Sequence, residues 1–232
     1  MPIITLYHGS ERIIERPVFG NGNRRNDYGL GFYCTENIEL AKEWACSAKN
    51  SGYANVYTLD TFGFDTLNLN ASEYGILDWL AILVNNRVFS ADAPIVAENK
   101  EYLTANFLSD VSSFDVIKGY RADDSYFTFA IDFLSNTISL KQLNRAMRLG
   151  ALGEQVVLKS SKAFEGLRFV RSEFADGEVY FKKKYERDKQ AREDYFKRER
   201  IAPRQRDDVF MLDILREEMK RGDARLQRNL LE

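Results

Sequence analysis

The order of its apolar runs constrains this chain most. Short β-favouring runs lie among helical-period segments with no regular alternation between the two. Ile3–Tyr7, Phe32–Cys34, Val56–Leu59, Phe114–Gly119, Gln155–Lys159 and Leu167–Phe174 read as strands. Between them, Asn37 can cap a helix from Ile38 to about Ser47, and Leu77–Phe89 carries Leu77, Leu80, Ala81, Val84 and Val88 on one helical face. Tyr126–Leu134 and Leu140–Leu149 read as helices, Ser161–Glu165 as a helical turn, and residues 90–113 as weakly helical in their second half. This order opposes a doubly wound parallel sheet and predicts an α+β fold. From Val179 onward only Pro203 and Gly222 interrupt a Lys-, Arg-, Glu- and Gln-rich stretch, so long helices are expected there.

Composition excludes several classes. Hydrophobic residues make up 44% of the chain and charged residues 29%, which suits a folded domain with a true core. One histidine and two cysteines, Cys34 and Cys46, argue against a disulfide framework and a zinc site, so no metal is expected. The same cysteine usage fits a reducing, cytoplasmic setting. The N-terminus lacks the basic and apolar regions of a signal peptide, and Leu77–Phe89 is too short and too polar to span a bilayer. Charge is uneven. Residues 182–206 hold eleven Lys/Arg against five Asp/Glu, whereas residues 1–181 are net acidic. Such a segment either attracts nucleic acid or an acidic partner, or forms a solvated face of mixed ion pairs.

Four segments can carry chemistry. His8, the only histidine, stands at a strand end beside Gly9 and Ser10, where backbone can approach a ligand; a histidine that only bonds a neighbour would look the same. Asp27-Tyr28-Gly29-Leu30-Gly31-Phe32-Tyr33-Cys34-Thr35 is neither a P-loop nor a Rossmann fingerprint, because it precedes a strand and lacks Gly-Lys-Ser/Thr. It is a glycine turn feeding an aromatic strand, or a segment that sets the Tyr33 ring at a pocket wall. Asp123 and Asp124 after a strand suit acid/base work or metal binding or, equally, a helix start. Glu154 and Gln155 open a strand, so their side chains leave opposite faces and only one can enter a given pocket.

Taken in order, these segments resemble ADP-ribosyltransferases of the His-Tyr-Glu/Gln type. More narrowly, the chain resembles a bacterial domain-of-unknown-function family placed in that superfamily. The resemblance covers roughly residues 3–175. It rests on Tyr7-His8-Gly9-Ser10, on Gly29-x-Gly31-Phe32-Tyr33-x-Thr35, on Trp79-Leu80 with Asn86-Arg87, on Asp115 through Asp124, and on Gln155 with Lys162-Ala163. It implies a split α+β domain over residues 1–175 with a charged helical tail over 176–232. It also implies NAD as co-substrate, placed on His8, Gly9, Ser10, Tyr28, Gly31, Tyr33 and Thr35. His8 would meet a ribose hydroxyl, Gly9 the carboxamide and Tyr33 the nicotinamide ring, while Gln155 takes the third position in place of the commoner Glu. A Gln cannot act as a base, so Asp123 or Asp124 is the candidate to activate the acceptor. The implied function is ADP-ribosyl transfer to a protein or nucleic acid, in a toxin with a small antitoxin partner and no membrane partner. The alternatives are an NAD glycohydrolase and a non-catalytic binding module.

Overall fold

The computed structural model describes residues 3–71, 73–88, 93–122, 124–151 and 153–226. The elements in chain order are β1 (Ile3–Ser10), β2 (Phe32–Cys34), α1 (Ile38–Ala45), β3 (Gly52–Asp60), β4 (Thr66–Asn68), α2 (Ile76–Asn86), α3 (Pro94–Phe107), β5 (Val116–Tyr120), α4 (Asp124–Leu134), α5 (Leu140–Ala146), β6 (Glu154–Leu158), α6 (Ser161–Gly166), β7 (Leu167–Ala175), α7 (Gly177–Asp194) and α8 (Met211–Arg216). The fold is α+β. Most predicted elements recur within a few residues. The Leu77–Phe89 helix ends at Asn86, with Phe89 outside the described residues, and β4 is a strand that alternation does not announce.

The chain divides into two compact units, each assembled from separate stretches. The first holds residues 1–69, 110–121 and 152–187; the second holds 70–109, 122–151 and 188–232. The residues expected to form a tail are therefore shared, with 176–187 in the first unit and 188–232 in the second.

The first unit carries two sheets. One has the order β1-β3-β7, all antiparallel; the other has β2-β6-β5-β4, antiparallel except for the parallel β4–β5 pair. Strand alternation aims Leu6, Tyr57 and Leu59 from the first sheet, and Phe32, Cys34, Val116, Val156 and Leu158 from the second, into one apolar cluster. Asn37 caps α1 by accepting from the amides of Glu39 and Leu40. Helix α1 then lies so close to β1 that a Cβ on Gly9 would fall 2.0 Å from the Ala41 carbonyl oxygen. Helix α7 docks on the same unit through Tyr180 and Phe181, which pack against Ala45, Cys46 and Ala175. Part-buried Arg187 pairs with Glu43 at 2.6 Å and Lys183 with Glu39 at 3.4 Å.

The second unit is helical. Trp79, Leu80, Phe107, Phe129, Phe133 and Leu143 are buried in it. Residues 188–226 add Ala191, Tyr195, Met211 and Ile214 to its buried set, more than the charged composition predicts. The Tyr195 hydroxyl donates to Asp132 at 2.6 Å inside a π-helical turn, and Arg221 pairs with buried Asp78 at 2.5 Å. Among the described residues no helix is long and apolar enough to cross a membrane.

Candidate functional site

The site grows from the place where β1 and β2 part. They share one bridge, Tyr7 with Thr35, through backbone bonds of 2.8 and 2.9 Å. Beyond it the His8 side chain takes over: Nδ1 lies 2.7 Å from the Tyr33 carbonyl oxygen. A carbonyl only accepts, so Nδ1 carries the hydrogen and, in the neutral ring, Nε2 carries the lone pair. The ring stacks on Phe32 with centroids 4.3 Å apart. Burial pulls the His8 pKa below its ordinary value, against a smaller opposing effect of the Tyr33 hydrogen bond. His8 is thus a neutral acceptor at neutral pH, suited to a hydroxyl donor.

A second set of residues shares the other face of β2. The register pairs Tyr33 with Val157 and Gly119 with Gln155, so Tyr33, Val157, Gln155 and Gly119 lie on one face. Phe32, and His8 stacked on it, belong to the opposite face. The Tyr33 hydroxyl donates to the Gly29 carbonyl at 2.6 Å and accepts from the Tyr28 amide at 3.1 Å, which holds the glycine loop against the sheet. The Tyr28 hydroxyl donates to the Tyr120 carbonyl at 2.6 Å, and a Cβ at Gly119 would stand 2.4 Å from that hydroxyl. Gly31 has the same reason for being glycine, since its Cβ would meet Val157 at 2.6 Å.

Gln155 is buried, and its Nε2 donates to Asp27 Oδ2 at 2.9 Å. A carboxylate only accepts, so Asp27 fixes which way the amide faces and turns Oε1 away from itself. Glu154 leaves the other face and pairs with Lys118 at 3.1 Å, beside a Lys118–Glu36 pair at 2.7 Å. Ser10 bonds the Arg12 carbonyl and accepts from Asn55 at 3.1 Å; Thr35 is buried and accepts from the Asn37 amide at 3.2 Å. Asp124 opens α4 in the second unit, and Asp123 lies outside the described residues. No group of three or more metal-ligating side chains occurs among the described residues.

Four contributors escape the sequence reading. Asp27 opens the Asp27–Thr35 segment, but nothing local marks it as the partner of Gln155. Lys159 donates to the Tyr28 and Leu30 carbonyls at 2.6 Å each, and burial lowers its pKa. Buried Asn55 donates to the His8 carbonyl at 3.3 Å and accepts from the Ile14 amide at 2.9 Å, tying the loop after β1. Trp44 lies over Gly9, its Cβ 2.9 Å from where a Gly9 Cβ would stand, and the Arg121 guanidinium covers its ring at 4.2 Å. The spacing of Trp44 on α1 could have pointed to it, because it follows Ala41 by three residues.

The fold and site define an α+β protein whose first unit holds a histidine at a sheet split and a buried Asp–Gln pair under a glycine loop. Residues 4–169 match the family described as Protein of unknown function (DUF3990), and the chain belongs to that family. No curated protein and no solved structure matches it.

Proposed function

We propose that the chain is an ADP-ribosyltransferase that takes ADP-ribose from NAD to a macromolecular acceptor, acting as a toxin or effector held in check by a small partner. The observation that carries this reading is the Asp27–Gln155 pair on the Tyr33 face. Cleaving the nicotinamide–ribose bond develops an oxocarbenium-like cation. A pre-oriented amide oxygen stabilises such a cation without reorganising, and Asp27 supplies the orientation. Neutral His8 stands on the opposite, Phe32 face at the β1–β2 split, where its Nε2 lone pair suits a hydroxyl donor.

A second reading, an NAD glycohydrolase, draws on the ion pairing of Glu154 with Lys118, which takes the neighbouring carboxylate away from the Gln155 face. Water or the acceptor must then be activated by another group. Labelled NAD incubated with the protein and lysate separates the readings. Label retained on a macromolecule, and released by protease or nuclease, supports transfer; free ADP-ribose alone supports the hydrolase. No turnover of NAD in either case overturns both and leaves a binding module.

A further inference from the structure

The first unit holds a concavity of about 660 Å³ whose lining contains none of His8, Tyr33 or Gln155. The segment around Arg16 and Phe19, helix α6 with Phe164, and the start of β7 with Arg168 and Phe169 line it. Its size falls within the roughly 300–1,000 Å³ of small-ligand sites. Phe19 is 53% exposed and meets Phe164 edge-on at 5.4 Å, so an aromatic face is offered to solvent. A ligand ring laid on it would gain by the apolar area removed from water.

Its lining carries Arg16 and Arg168 against Glu15 and Glu165, and what sets it apart is the pairing of those charges. Among the described residues, the side chains of Arg12, Arg16, Arg24 and Arg25, all exposed on the loop after β1, have no ion-pair or hydrogen-bond partner. Arg168 donates only to the carbonyls of Glu165 and Leu167. In the basic tail several cations are taken, Lys183 by Glu39, Arg187 by Glu43, Lys197 by Glu193 and Arg200 by Asp132, and Arg204 lies over the Phe210 ring, while Lys184, Lys189 and Arg206 have no open aromatic face beside them among the described contacts. Of the loop arginines, Arg16 lines the concavity beside Phe19 and Phe164, and Arg168 lines it with no carboxylate partner; guanidiniums without a carboxylate beside open aromatic faces suit single-stranded nucleic acid, with bases on rings and phosphates on cations. Glu15 and Glu165 also line the concavity. Their carboxylates repel phosphate and accept from exocyclic base amines, which places the base on their side and the phosphate on that of the arginines.

We propose that this groove binds a nucleotide of a single-stranded nucleic acid, its base against Phe19 and Phe164 and its phosphates on Arg16 and Arg168. The loop arginines extend the contact along the strand. The site stands without the NAD reading. If that reading holds as well, the groove names the acceptor class.

The test is fluorescence anisotropy on the full chain, without NAD, using a labelled single strand of about twelve nucleotides, within the usual span of such sites. The same sequence as a duplex and a polyglutamate peptide serve as comparisons. Single strands are expected to bind best, with affinity falling as salt rises. Phe19→Ala is expected to weaken binding about tenfold, as loss of one stacked base does. Arg16→Gln should flatten the salt dependence by about one phosphate contact. Both positions are exposed, so the fold survives, and Lys182→Gln with Lys183→Gln in the tail should change little. Failure to bind single strands at low salt overturns the proposal. So does equal binding of duplex or polyglutamate, or affinity lost in the tail variant and kept in the groove variants.

Discussion

His8 is the one residue whose chemistry can be followed alone, because the chain has no other histidine. Burial lowers its pKa, so the unfolded chain binds the proton more readily than the folded one. Its contribution to stability is therefore complete above the unfolded value of about 6.5 and is lost as pH falls through the lower folded value. Proton NMR of the single imidazole should show a midpoint below 6.5, with the neutral ring as the Nδ1–H tautomer; a midpoint above 6.5 would contradict the burial argument. NAD affinity, if His8 accepts from a ribose hydroxyl, should weaken over the same fall in pH. Asp27 supplies a second test at this scale. Asp27→Asn keeps the shape but can bond either end of the Gln155 amide, so the amide loses its fixed orientation. A hydrogen bond to a charged group is worth about 1.5–3 kcal/mol, so kcat for NAD cleavage should fall roughly tenfold or more with KM little changed. An unchanged kcat would remove Asp27 from the site.

Elements set these residues by close approach. Gly9 exists as glycine because α1 presses its backbone onto β1, and a methyl group there would meet the Ala41 carbonyl oxygen and the Ala45 amide nitrogen at 2.0 and 2.7 Å. Both are backbone atoms that cannot swing aside. Gly9→Ala should cost at least about 3 kcal/mol, measured by urea denaturation, the upper end of overpacking penalties. A cost below 1 kcal/mol would mean that α1 slides freely on β1. The strands differ in how far local sequence exposed them. β2 was legible to the residue, because Phe32-Tyr33-Cys34 stands between Gly31 and the Asn37 cap. β4 was not, because Thr66–Asn68 is too short to show alternation and pairs in parallel with β5 across 50 residues.

At the scale of the molecule, neither unit is a continuous stretch, so a cut in the sequence does not separate them. Residues 188–226 place Tyr195, Met211 and Ile214, each fully buried, in the second unit. Losing a large buried side chain costs about 3 kcal/mol, and a whole domain holds only about 10. A chain ending at Arg187 should therefore lose the second unit's fold while α7 still docks on α1 through Arg187 and Glu43. Hydrogen exchange should show amides of α2, α4 and α5 losing protection, with β1, β3 and β7 keeping theirs. Full protection in the truncated chain would show that those residues contribute nothing to the core.

Local pattern by itself determined the class of fold, the identity of most elements, and the opposed faces of Glu154 and Gln155, since each follows from a periodicity of two or 3.6 along the backbone. It also singled out His8 and the glycine loop, whose residue types are scarce or conformationally permissive. Only the tertiary structure joined Asp27 to Gln155 across 128 residues, set His8 and the Tyr33 ring on opposite faces of β2, and drew the charged C-terminal stretch into two different units. Those relations depend on which strands and helices become neighbours. Neighbours distant in sequence are chosen by packing of the whole chain, and no local window contains that information.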